Sequence, residues 1–439
     1  MRDPAGRVQW LPRHMLRQLA SPIGETHFLR SELARRWVRR GDLTPFEVCD
    51  EYRVVADRIP FVTQPSEWSD LQLYRAAELT LRLQGEAVDA GFDMKDASAW
   101  NIIFDGTQPL FCDLLSFEPL QRRKWWAAGQ FSRHFILPLL LAQRRGLHTC
   151  EAFQLWRDGV PPEAAKALIG RARFLTRYWP LMSSGRADSV RPGDVDISSD
   201  MQATARFRIS LHGALKWMLD GVEPRSARIT NSQWQDYVSQ RPHYSRGDLE
   251  LKREVISQWL QQCAVGSVID LGCNSGEFTR LAVQQGASVI AVDADHGAIQ
   301  SLFSQGGKGV YPVLASLDDL RAGRGWAGAE HAGLPERLAG QGELVMMLAL
   351  IHHLAIACSI PMPEIAAWAA RLSSRWLIVE MLSSSDVQVH ALCKQRARNP
   401  AEFDLDMQLA AFSGAGWEPW ASVELGGGSR RLCLMERRP

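Results

Sequence analysis

From residue 267 onward the chain alternates short, almost wholly apolar runs with stretches whose apolar residues recur every three or four positions. The runs "SVIDLG", "SVIAVD", "VYPVLA", "ELVMMLAL" and "RWLIVEML" have the composition of parallel strands covered on both faces. The intervening "FTRLAVQQGA" and "PEIAAWAARLSS" have helical spacing. Two further strands, "WASVEL" and "RRLCLMER", meet across "GGGS", so the sheet is expected to end with an antiparallel strand. The second half therefore reads as a doubly wound, Rossmann-like α/β domain.

The first half has a different pattern. Residues 70 to 90 carry apolar positions at helical spacing, and "NIIF" and "PLFC" flank the turn "DGTQ" as a hairpin. The following "WWAAGQFSRHFILPLLLAQRRG" predicts a largely buried helix with Pro138 as a kink or a start. "MSSGRADSVRPGDVDISSD", residues 182–200, has no apolar period and is rich in Ser, Asp, Gly and Pro. The expected organisation is an α+β domain over 1–181, a linker over 182–200, and the α/β domain with a helical N-terminal extension over 201–439.

Composition narrows the function classes. A net charge of +1 gives no overall field for nucleic acid or an anionic membrane, and runs such as "ARRWVRR" read as solvated helix faces. None of the eight Cys falls in a C-x-x-C pair, so neither a disulfide framework nor a zinc site is indicated. "MRDPAGRVQ" lacks the apolar region of a signal peptide, and no apolar run is long enough for a membrane span, so the cytoplasm is the expected location.

The candidate chemistry of the second half sits in "VIDLGCNSGEF", with Asp270, Gly272, Asn274 and Gly276 between a strand and a helix. Glycines there admit a close ligand, and the helix N-terminus offers unpaired N–H groups. Asp293 ends the next strand, placed to accept hydrogen bonds from ribose hydroxyls. The carboxylate of Asp270 inside the turn suits an ammonium or sulfonium better than a pyrophosphate, which favours S-adenosylmethionine over a dinucleotide. Tyr244 in "HYSRGDLELK" either covers the methionine end of that cofactor or packs at a helix start. At the ends of the fourth and fifth strands, "LALIHHL" supplies His352 and His353, and "LIVEML" supplies Glu380. One histidine is expected on the acceptor side, and Glu380 is either a base or a structural partner.

These motifs carry a resemblance. Residues 240–439 resemble a class I S-adenosylmethionine-dependent methyltransferase, similar to the bacterial group that includes nodulation methyltransferases. The likeness rests on "DLGCNSG", "LALIHHLAI", "GWAGAEHAGLPER" and "RRLCLMER", and extends upstream through "KDASAWNIIF" and "LFCDLLSFEP". It implies that Asp270, Gly272, Asn274 and Gly276 hold the methionine moiety and shape the turn, and that Asp293 holds the ribose. The adenine contact falls to Ser316 or Asp318 in "VLASLDD". The sequence departs from the group after Glu380, where "MLSSSD" replaces "FVPK". No [DNS]-P-P-[YFW] turn follows the fourth strand, which argues against amino methylation of nucleobases. The expected acceptor is a small or saccharide-like molecule, methylated on oxygen rather than nitrogen.

Asp96, Asn101 and Asp113 follow the order of catalytic and metal-binding residues in phosphotransferases, and their oxygens suit a magnesium ion. Residues 1–60 have no G-x-G-x-x-G and no V-A-I-K-like strand, and Met94 stands where the H-R-D motif has His. The first half is therefore expected to be a reduced kinase-like lobe that does not transfer phosphate. The alternatives are a bifunctional kinase-methyltransferase and a non-catalytic adenosyl-binding protein; the oligomeric state is open.

Overall fold

The computed structural model describes residues 6–11, 14–121, 124–183, 201–224 and 246–438. The chain divides into two compact units, residues 1–228 and 229–439.

The first unit opens with a four-stranded antiparallel sheet that the apolar pattern had not suggested. Its strands are β1 (Gly6–Trp10), β2 (His14–Leu19), β3 (Phe46–Val48) and β4 (Arg53–Asp57), in the order β1-β2-β4-β3. A helix, Glu32–Arg40, connects β2 to β3; the Ser31 hydroxyl accepts from Ala34 N–H at its start, and left-handed Gly41 closes it. Trp37 on its inner face is fully buried and packs on Phe28 and Phe117. The expected long helix runs Asp70–Asp89, opened by a reciprocal Ser69–Gln72 capping box. Short pairs follow: β5 (Phe92–Met94) with β8 (Phe117–Pro119), and the expected hairpin of β6 (Ile102–Asp105) and β7 (Gln108–Phe111). Pro138 lies at the second position of helix Leu137–Arg145, directly after a π-turn, Ser132–Ile136. The wider turn precedes the position where proline has no N–H to give.

The boundary between units differs from the expected one. Residues 184–200, most of the expected linker, lie outside the described residues. Helix Met201–Asp220, expected as an extension of the second domain, packs instead on Asp70–Asp89 in the first unit. Arg208 donates twice to the buried Asp93 at 2.8 and 3.1 Å, and His212 meets the Leu81 carbonyl at 3.0 Å. A Cβ on Gly85 would lie 3.0 Å from His212 Nε2, so the small residue permits the helices to approach.

The second unit holds a seven-stranded sheet. Its strands are β9 (Ser267–Leu271), β10 (Ser288–Asp293), β11 (Val310–Leu314), β12 (Gly342–Met347), β13 (Ser373–Leu382), β14 (Trp417–Leu425) and β15 (Arg430–Arg437). The order is β11-β10-β9-β12-β13-β15-β14, with β15 antiparallel to both neighbours, as the tail pattern predicts. Helix Arg246–Cys263 covers one face through Val255, Ile256, Trp259 and Leu260, against Val268, Val289, Met346 and Ile378. Strand order reverses between β9 and β12, which opens a crevice at their C-terminal ends. The second-half candidates among the described residues lie near the C-terminal ends of β9 to β13.

Candidate functional site

The turn after β9 is shaped by three left-handed residues: Gly272 (φ 71°), Asn274 (φ 50°) and Gly276 (φ 81°). Asn274 tolerates this geometry because its side-chain oxygen accepts locally, here from Ser275 N–H at 2.6 Å. A Cβ at Gly276 would collide with Leu302, so that glycine is required by space as well as by φ. Gly272 N–H donates to the Val292 carbonyl at 2.9 Å, which fastens the turn to β10. Gly276 then caps helix Glu277–Gln284, whose first N–H groups lie at the turn.

Two carboxylates face this turn. Asp270 is buried and accepts from the Thr279 hydroxyl at 2.6 Å. Burial pushes its pKa up to about 7; the Thr279 bond opposes the rise, and the charge of Asp293 adds to it. Asp293 ends β10 and accepts Asn274 N–H and Asp295 N–H, one on each oxygen, both at 2.8 Å. Burial also raises its pKa. These backbone bonds, with one from Ala294 N–H, oppose that rise. Ala315 N–H donates to the Asp293 carbonyl at 2.9 Å, which brings Ser316 beside this strand end. Ser316 is exposed and its hydroxyl donates to Asp318, holding that carboxyl below the usual range. Tyr244 lies outside the described residues.

Across the crevice, Glu380 near the end of β13 is fully buried. Lys252 Nζ donates to its Oε2 at 2.6 Å, Ala349 N–H donates to the same oxygen at 2.9 Å, and Arg430 Nη1 lies 3.4 Å from Oε1. Arg430, itself fully buried, continues to Asp386 at 2.8 and 3.3 Å. Both oxygens of Glu380 are thus engaged, an arrangement that fits the structural-partner alternative of the two read from the sequence. Ala349 sits in the left-handed region at φ 50° without being glycine, a strained turn held by the carboxylate. Leu350 follows, packed 3.3 Å from where a Gly272 Cβ would stand.

His352 and His353 come next, on a helical turn that widens to π form over His353–Ala357. Their rings are 4.2 Å apart between centroids and tilted by 43°. His352 is 3% exposed, and neither of its ring nitrogens has a hydrogen-bond partner among the described residues. Burial lowers the pKa of both, His353 to about 4.

In the first unit, Asp96, Asn101 and Asp113 also come together. Asn101 Nδ2 donates to the Asp96 carbonyl at 3.2 Å, and Gln130 and Ser98 N–H donate to the Asp96 carboxylate at 2.7 and 3.0 Å. Asp113 accepts from the Ser116 hydroxyl at 2.6 Å and from Arg17 of β2 at 2.8 Å. A strand-borne cation therefore exists in residues 1–60, as arginine rather than the lysine sought in the sequence. Burial outweighs the neighbours of Asp96 and raises its pKa, whereas the Arg17 charge and the Ser116 bond together outweigh burial at Asp113 and lower it. Arg17, Lys252 and Arg430 were missed as site residues, although the pattern held a signal. Lys252 falls in the apolar stripe of Val255, Ile256 and Trp259, and Arg430 alternates in phase with Leu432 and Leu434.

No family model matches the chain. The chain is similar to nodulation protein NoeA of Rhizobium meliloti (strain 1021). The two are 27% identical over 435 residues, spanning 94% of this chain and 90% of NoeA. The resemblance read from the motifs therefore extends along both units. Among solved structures, magnesium protoporphyrin IX methyltransferase from Synechocystis PCC 6803 with bound SAH is 15% identical, covering 44% of this chain and 84% of that one at a TM-score of 0.33. N-methyltransferase NodS from Bradyrhizobium japonicum WM9 is 10% identical, covering 44% and 99% at 0.33. Among the described residues no helix is long and apolar enough to cross a membrane.

The raised pKa of Asp270 has a measurable sign. Its folded value lies above its unfolded one, so the ligand-free protein loses stability from this group as pH rises from the usual carboxylate range through about 7. Asp270→Asn removes that loss. In calorimetric melting its Tm advantage over wild type is expected to widen between pH 5 and 7 and level off above; a constant difference would show Asp270 already ionised at pH 5.

Proposed function

We propose that the second unit binds S-adenosylmethionine at the β9–β10 turn and passes its methyl group to a small-molecule or saccharide-like acceptor, on oxygen rather than nitrogen. The observation that carries this reading is the pair of carboxylates, Asp270 and Asp293, bracketing a turn in which glycine is sterically required. In this reading Asp293 accepts from the ribose hydroxyls, and Asp270 supplies negative charge for the ammonium or sulfonium end. Glycine at 272 and 276 lets Leu350 and Leu302 close against the turn, which fixes its shape. Ser316, beside the same strand end, is the proposed adenine contact. When bound, the cofactor supplies an electrophilic methyl on a sulfonium. What the chain contributes is alignment, exclusion of water and removal of a proton where the acceptor carries one. The candidates for that last role are His352 and His353, since Glu380 is committed to Lys252, Ala349 and Arg430.

Calorimetric titration tests the cofactor reading. Wild type is expected to bind S-adenosylmethionine and S-adenosylhomocysteine. Asp293→Ala, which loses a charge-assisted hydrogen-bonded pair of about 1.5–3 kcal/mol, is expected to bind roughly 10- to 150-fold more weakly. No binding by wild type, or equal binding by the variant, contradicts it.

For the first unit we propose a kinase-like lobe that docks or shapes the acceptor without transferring phosphate. Arg17 and Ser116 engage the Asp113 carboxylate, so a magnesium ion there would displace a guanidinium already in place. Residues 1–60 also have no G-x-G-x-x-G to cover a γ-phosphate. ATP with magnesium is expected to give no binding heat and no turnover. Magnesium-dependent ATP consumption that disappears in Asp96→Ala would instead establish a bifunctional enzyme.

A further inference from the structure

Asp270 pairs with a residue outside the motif that marks the turn. Thr279, the third residue of helix Glu277–Gln284, is fully buried, and its hydroxyl donates to Asp270 Oδ2 at 2.6 Å. Its backbone N–H donates to the same carboxylate, so the strand before the glycine turn caps the helix after it. Capping alone does not call for an acid. An asparagine oxygen would accept from the same two donors without burying a charge. The setting makes the acid costlier still. Asp270 is 2% exposed, with Ala291 of β10 and Met346 of β12 in register on either side. Asp293 at the end of β10 and the Cys273 thiol in the turn are the titratable groups beside it, and both are anionic when ionised. Among the described residues no cation bonds to Asp270 or Asp293. Lys252 acts on Asp270 through space, but its Nζ is bonded to Glu380. The turn therefore has two acids and no bonded cation to balance them.

We propose that Asp270, positioned by Thr279, is the charge by which this turn prefers the sulfonium cofactor to the thioether left after transfer, and that cofactor binding expels its proton. This rests on the cofactor reading above and deepens it. Neither side chain reaches solvent, so their effect on a bound molecule runs through charge rather than contact. S-adenosylmethionine carries a sulfonium and an ammonium against one carboxylate, and so has a net positive charge. S-adenosylhomocysteine has lost the sulfonium charge and is neutral overall. In the ligand-free protein, burial and the charge of Asp293 keep the Asp270 proton in place through the slightly acid range. A cation placed at the turn favours the ionised form. The carboxyl then gives its proton to solvent as the cofactor binds, and the carboxylate in turn holds the cation. After transfer the methyl carbon is bonded to the acceptor, and the electron pair of the broken bond stays on sulfur. The site then holds one positive charge fewer, and a proton returns from solvent to Asp270 as the thioether leaves. Thr279 sets where on the pH scale this happens, because its hydroxyl bond favours the ionised carboxylate and opposes the rise that burial causes. The Cys273 thiol takes no part, since burial and the two carboxylates hold its pKa well up.

The test uses the full chain and calorimetric titration with S-adenosylmethionine and with S-adenosylhomocysteine, each between about pH 5.5 and 7.5. For wild type the ratio of the thioether's Kd to the cofactor's is expected to grow roughly 10-fold over that range, the scale of a through-space charge pair inside a protein. At about pH 7, heats compared between phosphate and Tris are expected to show about 0.5 proton released per cofactor bound, and fewer for the thioether. Asp270→Asn is expected to give a ratio that does not change with pH. Thr279→Val loses the hydroxyl but keeps the N–H, so the rise in the ratio is expected at higher pH, and Thr279→Ser is expected to restore its place. These two variants decide the matter if the asparagine variant does not fold. The proposal is overturned by a wild-type ratio constant with pH, by equal proton release for the two ligands, or by a pH dependence that survives in Asp270→Asn. A rise that stays in place in a folded Thr279→Val overturns the part given to Thr279. Failure of wild type to bind either ligand overturns the underlying reading instead.

Discussion

One carboxylate, Glu380, organises the turn after β12 in the second unit. It has no solvent contact, and charges and N–H groups from three other parts of the chain converge on it. Lys252 comes from the helix before β9, Arg430 from the start of β15, and the Ala349 N–H from the turn after β12. With Asp386 beyond Arg430, the cluster holds two buried cations and two buried anions, so its charges balance. Desolvating such groups costs several kcal/mol per ion, and mutual attraction returns that only when geometry is good. The cluster therefore adds little net stability, and its consequence is geometric. Ala349 is held left-handed, Leu350 is set against the cofactor turn, and His352 is buried two residues later.

The cofactor side is built by the opposite means. There the sequence removes side chains, at Gly272 and Gly276, and leaves backbone N–H groups and two carboxylates facing the turn. Asp293 binds the backbone of that turn through Asn274 N–H, so the residue proposed to hold a ribose also fixes the loop that would receive it. A glycine-shaped turn and an ion-locked turn thus approach each other across β9 and β12, where the strand order reverses. The first unit resolves its own buried acids in a similar way, with Arg17 neutralising Asp113 and Arg208 neutralising Asp93.

The second-unit sheet was legible because its strands are buried on both faces and stand out as apolar runs, and the tail hairpin was legible through "GGGS". The proposed cofactor residues could be picked out because motif and topology coincide at the C-terminal ends of β9 and β10. The first-unit sheet was not, since strands of three to six residues such as "HMLRQL" have too few apolar positions to set a period. The boundary was misplaced because an amphipathic helix does not encode which body it covers; Arg208 finds Asp93 at a separation of 115 residues. The role of Glu380 was equally hidden, for its partners lie 128 and 50 residues away. Lys252 and Arg430 are in phase with buried apolar neighbours, but no period says that they face the same carboxylate.

The dependence of the turn after β12 on that carboxylate is tested most directly by a double-mutant cycle on Lys252→Met and Glu380→Gln, read by denaturant unfolding of the full chain. Breaking one side of a buried pair leaves the other charge uncompensated, so each single variant is expected to lose about 3 kcal/mol or more. The double variant is expected to recover about 2 kcal/mol of their sum. Losses that add to within roughly 0.5 kcal/mol would mean that the two groups act independently and that Glu380 does not hold the turn through its ion pair.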